Sequence, residues 1–270
     1  MQPAISVLLP VYRPNLDYLQ LAIDSILKQT FPSFELILIE AESEISSQSC
    51  LQQFDDQRIV HLPHHGQASL VDQLNYGLQQ ARAPLIARMD GDDWSYPERL
   101  QKQFDYLQLH PEVTVLGTAI NIMDSLGKSV GKRVYPTDSL SIQKSLRRFN
   151  AIAHPSVMYR KEAVLNAGGY WYRNYPANED YELWCRLASK GHQLANLDEP
   201  LLCYRIHPGA MKSEKIKGIL RGTRLVKRHY YRDTMTWADV ARYWAEGLLL
   251  NLPGPVIYQL FTRMNYQKGS

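Results

Sequence analysis

Cysteine is scarce in this chain and long apolar runs are missing, and each shortage removes a class of protein. Only three cysteines occur in 270 residues, Cys50, Cys185 and Cys203, and none form a CxxC pair. An odd, scattered set excludes a disulfide framework and a cysteine-built zinc site, fits a reducing compartment, and leaves the three as small buried hydrophobes. No uncharged stretch reaches the roughly 20 apolar residues that a membrane-spanning helix needs. The nearest, Gly247 to Thr262, is shorter and is broken by Pro253 and Pro255. Met1-Gln2-Pro3-Ala4 carries neither a basic n-region nor a cleavage pattern, so no secretory signal is expected.

What is present is ordinary for a globular chain: 45% hydrophobic and 21% charged residues, which excludes the disordered and fibrous classes. The length suits one large domain, or one domain with a small appendage. The net charge of +3 hides an asymmetry. Between Lys212 and Arg232 eight basic residues face only Glu214, so this segment carries +7 and the remainder −4.

Hydrophobic patterning predicts an α/β first half. Ile5–Pro10 and Glu35–Ile39 are short runs of branched apolar residues, the signature of strands buried on both faces. Between them Leu19, Ile23, Ile26 and Leu27 recur at helical spacing, which makes a βαβ crossover and a parallel sheet. A third strand at 58–62, a helix marked by Leu70, Leu74, Leu78 and Ala81, and a fourth strand at 84–89 repeat the unit. After the fourth strand the spacing predicts a helix opened by Ser95 as N-cap, with Pro97 in the first turn and Glu98 closing a capping box. The second half is less regular. It reads as strands at 113–122, 156–159 and 201–206, with helices at 140–149, from Lys161 to Gly168-Gly169, and over 180–190, ending at Gly191. From Ser213 to Met264 the chain reads as helical.

Ligands of open parallel sheets bind beyond the carboxyl ends of the strands. Three loops sit there: Pro10–Arg13, Glu40–Ser43 and Asp90–Asp93. The last carries the most chemistry. Three crowded carboxylates, Asp90, Asp92 and Asp93, repel one another unless solvated, protonated or bound to a cation, and oxygen ligands of this kind suit Mg²⁺ or Mn²⁺ beside substrate phosphates. An exposed acidic turn is the plainer alternative. Asn178-Glu179-Asp180 opens an amphipathic helix and by itself reads as capping with acids in the first turn. His154, before a strand, reads by itself as structural. His207, in a loop after the last strand, divides evenly between a turn residue and a metal ligand.

Together these stretches resemble family 2 of the glycosyltransferases, the inverting group with the GT-A fold. ISVLLPVY, SILKQTF, ELILIE, ARMDGDDWSYPERLQKQFDYLQLHPEV, HPSVMYRKEAVLNAGGY, EDYELWCRLASKG and LLCYRIH run in family order over residues 5 to 207. ARMDGDD followed by EDYELW is specific as a pair. The likeness is strongest to bacterial enzymes that build exopolysaccharide, capsule or O-antigen. It implies a Rossmann-like, mostly parallel central sheet flanked by helices. It divides the chain into a catalytic domain over 1–212 and a helical extension over 213–270. Within the domain, 1–110 is the nucleotide-sugar half and 111–212 the acceptor half.

The same resemblance implies the site. Pro10 and Tyr12 line the nucleobase pocket. Asp90 faces the ribose, Asp92 holds a divalent metal, Mn²⁺ or Mg²⁺, on the diphosphate, and Arg88 meets a phosphate. Asp180 is the base, with Glu179 beside it; His207 reaches the metal; His154 and Trp184 form the acceptor side. The implied partners are a nucleotide-sugar donor and a glycan or lipid-linked acceptor, with no nucleic acid, in a cytoplasmic setting. Two departures stand out. Ala41 falls where the family carries a base-contacting Asp, with Glu40 or Glu42 nearest to replace it, so UDP is the default nucleotide and GDP or dTDP the alternatives. Arg13 stands where Asn is frequent. A GT-A-like nucleotidyltransferase is disfavoured because Val11–Asn15 contains no glycine. A catalytically inactive nucleotide-sugar-binding module rests on Ala41 alone.

The tail lies outside this resemblance. Its basic run next to Trp237, Tyr243, Trp244, Leu248 and Leu252 suits either packing on the catalytic domain, dimerisation, or a helix lying on an anionic membrane at the inner face through 213–264.

Overall fold

The computed structural model describes residues 2–64, 69–171, 178–206, 213–254 and 256–257. The strands are β1 (Ile5–Val11), β2 (Phe34–Ala41), β3 (Ile59–His64), β4 (Leu85–Arg88), β5 (Trp94–Ser95), β6 (Val113–Met123), β7 (Ser129–Arg133), β8 (Met158–Arg160) and β9 (Gln193–Arg205). The helices are α1 (Leu16–Leu27), α2 (Gln48–Leu51), α3 (Leu70–Gln80), α4 (Arg99–Leu109), α5 (Ser139–Leu146), α6 (Lys161–Asn166), α7 (Glu179–Ser189), α8 (Ser213–Tyr231) and α9 (Trp237–Leu249).

All the strands join one sheet in the order β3-β2-β1-β4-β8-β6-β9-β5, with β7 on β6. The first four are parallel, as the βαβ reading requires, and β6–β9 is a further parallel pair. β8 joins the two groups by running antiparallel to both β4 and β6. The apolar runs owe their form to burial on both faces. Ile5, Val7, Leu9, Leu36 and Leu38 pack with α1 and α4, whereas Leu8, Ile37 and Ile39 pack with α3 and α7 on the other side.

One local expectation is corrected. Ser95 is not a helix cap: it lies in β5, where its amide donates to Ser25 Oγ (3.1 Å) and its hydroxyl accepts from Gln29 Nε2 (3.2 Å). Helix α4 opens three residues later than that cap would set it, with Glu98 at its N-cap making no side-chain bond. Pairing of Trp94 and Ser95 with Cys203 and Leu202 of β9 wins over the local capping signal. The glycines at helix ends behave as read: Gly168, Gly169 and Gly191 take φ of +99°, +71° and +87°. The last strand, expected over 201–206, is longer, because bulges let residues from Gln193 onward follow β6.

Candidate active site

Register places the site. β1 continues to Val11, but β4 ends at Arg88, opposite Leu8. Met89 still donates to the Leu8 carbonyl (3.1 Å), and the chain then turns, so Asp90–Asp93 lies against the loop that follows β1. Pro10 to Asn15, with Asp90, Gly91 and Asp92, bound a cavity of about 310 Å³. Tyr12 is 55% exposed at its edge. Arg13 holds φ of +47°, the left-handed region that Asn tolerates better than Arg.

A second cavity, of about 460 Å³, is lined by residues that include Arg88, Asp90, Asn150, His154, Glu179 and Asp180. Asp90 belongs to both cavities and stands between them. Both volumes fall in the range of small-molecule sites.

The acidic turn is held from below by buried cations. Arg88 is 2% exposed and grips Asp90 through its two terminal guanidinium nitrogens (2.8 and 2.5 Å). Burial opposes its charge, but Asp90 outweighs burial and keeps the guanidinium above its ordinary value. Arg99, fully buried, donates to the Arg88 and Val157 carbonyls (2.7 and 3.2 Å). Burial pulls its pKa down to about 9, partly offset by Asp93. Asp93 is 1% exposed; burial first, then Asp90 and Asp92, push its carboxyl well above the usual range. One of its oxygens accepts the Arg205 amide (2.9 Å) and the other, Oδ2, has no hydrogen bond among the described residues. Asp90, Asp92 and Asp93 each bring a carboxylate oxygen within 4.8 Å of the others. An all-oxygen donor set, crowded enough to raise a pKa and with a buried oxygen unsatisfied, fits a hard divalent cation.

At the far side of the larger cavity, the first turn of α7 presents Glu179 and Asp180, both partly buried. Asp180 accepts from Asn150 Nδ2 (2.6 Å) and from the Tyr181 amide (2.7 Å). Burial raises the Asp180 pKa against those two bonds. Glu179 is pushed up to about 7, by burial first and by the Asp180 charge second. Burial thus raises both carboxyls, and the two titrate as a coupled pair. His154 lines the same cavity while its Nε2 meets the Tyr170 hydroxyl (3.1 Å). Burial, then Arg88, hold its imidazole well below the ordinary value, so the ring is neutral.

Not every expected residue reaches a cavity. Trp184, assigned to the acceptor side, is fully buried; it packs edge-on behind His154 with ring centroids 6.0 Å apart and lines neither cavity. Glu40, assigned to the donor, also lines neither. Its carboxylate accepts the Ser47 amide (2.5 Å) and hydroxyl (2.7 Å) and meets His61 Nε2 (2.7 Å), which ties the loop after β2 to β3. Those bonds outweigh burial and lower its pKa. Ala41 is a buried residue of β2, paired with His64. His207 lies outside the described residues.

Sequence reading missed three contributors. Asn150 orients Asp180. Arg205 fixes the acidic turn through the Asp92 carbonyl (2.8 Å) and the Asp93 carboxylate while its guanidinium stacks 4.2 Å from the Tyr18 ring centre. Arg99 is a buried counter-charge. Only Arg205 had a signal, its place beside His207 at the strand end.

A crowded acidic turn thus lies between a loop-bounded pocket and a carboxylate pair. Comparison with known proteins gives the family. The model of glycosyl transferase family 2 matches residues 6–167, and the chain belongs to that family. The chain is 36% identical over 209 residues to the O-antigen biosynthesis glycosyltransferase WbnJ of Escherichia coli, covering 75% of this chain and 80% of that protein. It is 33% identical over 216 residues to the amylovoran biosynthesis glycosyltransferase AmsE of Erwinia amylovora, covering 79% of each. Among solved structures, S. aureus TarS 1-349 superposes with a TM-score of 0.62 at 17% identity, covering 91% of this chain and 71% of that one. The mannosyltransferase PcManGT of Pyrobaculum calidifontis, in complex with GDP-Man and Mn²⁺, superposes with 0.62 at 15% identity, covering 94% and 72%. At these identities the structural likeness concerns the fold, which is GT-A.

Proposed function

We propose that this glycosyltransferase moves a sugar from a nucleoside-diphosphate sugar to a hydroxyl of a glycan or lipid-linked acceptor in bacterial polysaccharide assembly, with inversion at the anomeric carbon. The observation that carries this reading is Asp90, shared by two cavities, one bounded by the β1 loop and the other by Glu179 and Asp180. The donor's nucleotide lies along Pro10 and Tyr12, and its sugar passes Asp90 into the larger cavity, so residues 1–110 serve the donor and 111–212 the acceptor. Asp180 takes the proton of the acceptor hydroxyl as its oxygen bonds to the anomeric carbon, and the departing bond's electron pair goes to the diphosphate oxygen. The Asn150 amide donates to Asp180, which favours its carboxylate form and aims it. Asp92, with Asp90 beside it and His207 as the sequence assigns it, holds a divalent cation; such an ion offsets charge on the leaving diphosphate. Arg88 acts through Asp90, which it holds with two of its N–H groups. The names of the relatives, O-antigen and amylovoran biosynthesis, support the polysaccharide setting.

The test is a donor panel. Purified protein is incubated with UDP-, GDP- and dTDP-sugars and with Mn²⁺ or Mg²⁺, and nucleotide release and thermal shift are read. The expected result is a metal-dependent response to one nucleotide, lost in Asp92→Ala, with transfer but not donor binding lost in Asp180→Asn. Full transfer by a well-folded Asp180→Asn overturns the assignment of the base. A folded wild type that binds a donor but catalyses neither nucleotide release nor transfer favours the inactive module.

A further inference from the structure

The C-terminal hairpin of α8 and α9 carries surface that the catalytic domain does not use. One side of α8 is consumed: Ile216, Leu220, Val226 and Lys227 are buried, Asn178 donates to the Ile219 carbonyl (2.9 Å), and Tyr230 donates to Glu182 (2.5 Å). α9 is fixed to the rest by polar bonds. Lys227 pairs with Glu246 (2.6 Å), Arg224 stacks 3.9 Å from the Tyr243 ring centre, and Asp239 accepts from Arg148 (3.3 Å). None of these attachments involves Trp237, Trp244 or Leu248. Trp237, Trp244 and Leu248 fall on one face at helical spacing and are 92%, 66% and 70% exposed.

The neighbouring helix supplies charge of one sign. Arg221, Leu225 and Arg228 share the outer face of α8, and Arg232 follows immediately; all four are exposed. The three arginines make no ion pair among the described residues, and Asp233 is the one acid of the hairpin that those residues leave exposed. Exposed indoles with a leucine beside a row of unpaired guanidinium groups match an anionic lipid surface in both respects. Indoles settle at the level of the headgroups, and guanidinium groups are drawn to the negative surface potential. A second copy joined face to face would need acids to meet that row, and among the described residues of the hairpin Asp233 is the one exposed acid.

We propose that the outer face of α8 and α9 docks this enzyme on an anionic membrane, through Trp237, Trp244 and Leu248 in the headgroup layer and Arg221, Arg228 and Arg232 against its charge. The docking stands on these exposed side chains and not on the transfer reading, so the two fail separately. The experiment is sedimentation of the full chain with vesicles of phosphatidylcholine alone and of phosphatidylcholine mixed equally with phosphatidylglycerol, no donor present, with tryptophan emission recorded in parallel. Binding only to the anionic vesicles, with a blue shift, is expected. At about 1 kcal/mol for each basic residue near such a surface, the triple variant Arg221→Gln/Arg228→Gln/Arg232→Gln binds roughly a hundredfold more weakly. Trp237→Ser/Trp244→Ser loses the blue shift and about tenfold or more in affinity while keeping its circular dichroism, since both sites are exposed. No sedimentation with anionic vesicles, or equal binding by wild type and both variants, overturns the proposal. So does a dimer in light scattering that Trp237→Ser/Trp244→Ser turns into monomer while vesicle binding stays unchanged, which makes the face a contact between copies.

Discussion

Replacing Glu179 by glutamine makes a stability experiment out of the site's electrostatics. The Glu179 carboxyl sits near pKa 7 in the fold against an ordinary value of 4.5, raised first by burial and then by Asp180. Between those two values the native state holds a proton that the unfolded chain has released. Stability therefore falls as pH rises from 4.5 to 7 and stays reduced above 7. At about 1.36 kcal/mol for each pH unit crossed, the full loss is up to about 3 kcal/mol. Glutamine resembles the protonated acid in shape and polarity and cannot ionise. Glu179→Gln should match the wild type within about 0.5 kcal/mol at pH 4.5 and exceed it by about 1–3 kcal/mol at pH 8. Urea unfolding at several pH values gives both numbers. A difference between variant and wild type that is the same at pH 4.5 and pH 8 refutes the claim that Glu179 is a buried acid strained by its charge. If Asp180 is the base, the same variant keeps a measurable kcat, because the residue that takes the proton is untouched.

Other substitutions read the neighbouring parts. Asn150→Ala removes the 2.6 Å bond that favours ionised Asp180, so the Asp180 pKa rises and the acid limb of the pH–rate profile moves to higher pH, with kcat falling more at acid pH than at alkaline pH. Gly117→Ala would put a methyl 2.2 Å from Asn196 Oδ1 and 2.9 Å from Ile152. Asn196 is held by the Pro136 and Ala151 carbonyls (2.7 and 3.1 Å), so the clash should cost about 1–3 kcal/mol in urea unfolding. Glu182→Ala leaves the buried Arg186 without its ion pair (2.9 Å) and should cost about 3–5 kcal/mol, whereas Glu182→Gln, which keeps a carbonyl acceptor, should cost less.

The parts of the molecule legible in the sequence are those whose signal is local. Strands buried on both faces must be apolar at every position, so β1, β2 and β4 stood out as runs, and the acids at the end of β4 and the start of α7 followed from their places after a strand and before a helix. β5, β7 and the first half of β9 carry no such pattern. Trp94–Ser95 is a strand only because Leu202 and Cys203 lie beside it, more than a hundred residues away, and Ser95 keeps every mark of a helix cap until that partner is known. Glu40 shows the same limit in chemistry. A carboxylate at a strand end reads as a ligand, and only the fold reveals Ser47 and His61 already bonded to it.

By itself the sequence determined the family, the parallel core, the acidic turn and the carboxylate pair, because each depends on residue types at short spacing. The tertiary structure decided what those residues face. The register of β4 against β1 sets Asp90 between two cavities, and Asn150, Arg99 and Arg205 join the site from distant segments. Packing buries Trp184 and leaves Trp237 and Trp244 outside, although all three are tryptophans on amphipathic helices. Burial depends on what arrives on the other side, and periodicity along one helix does not contain that information.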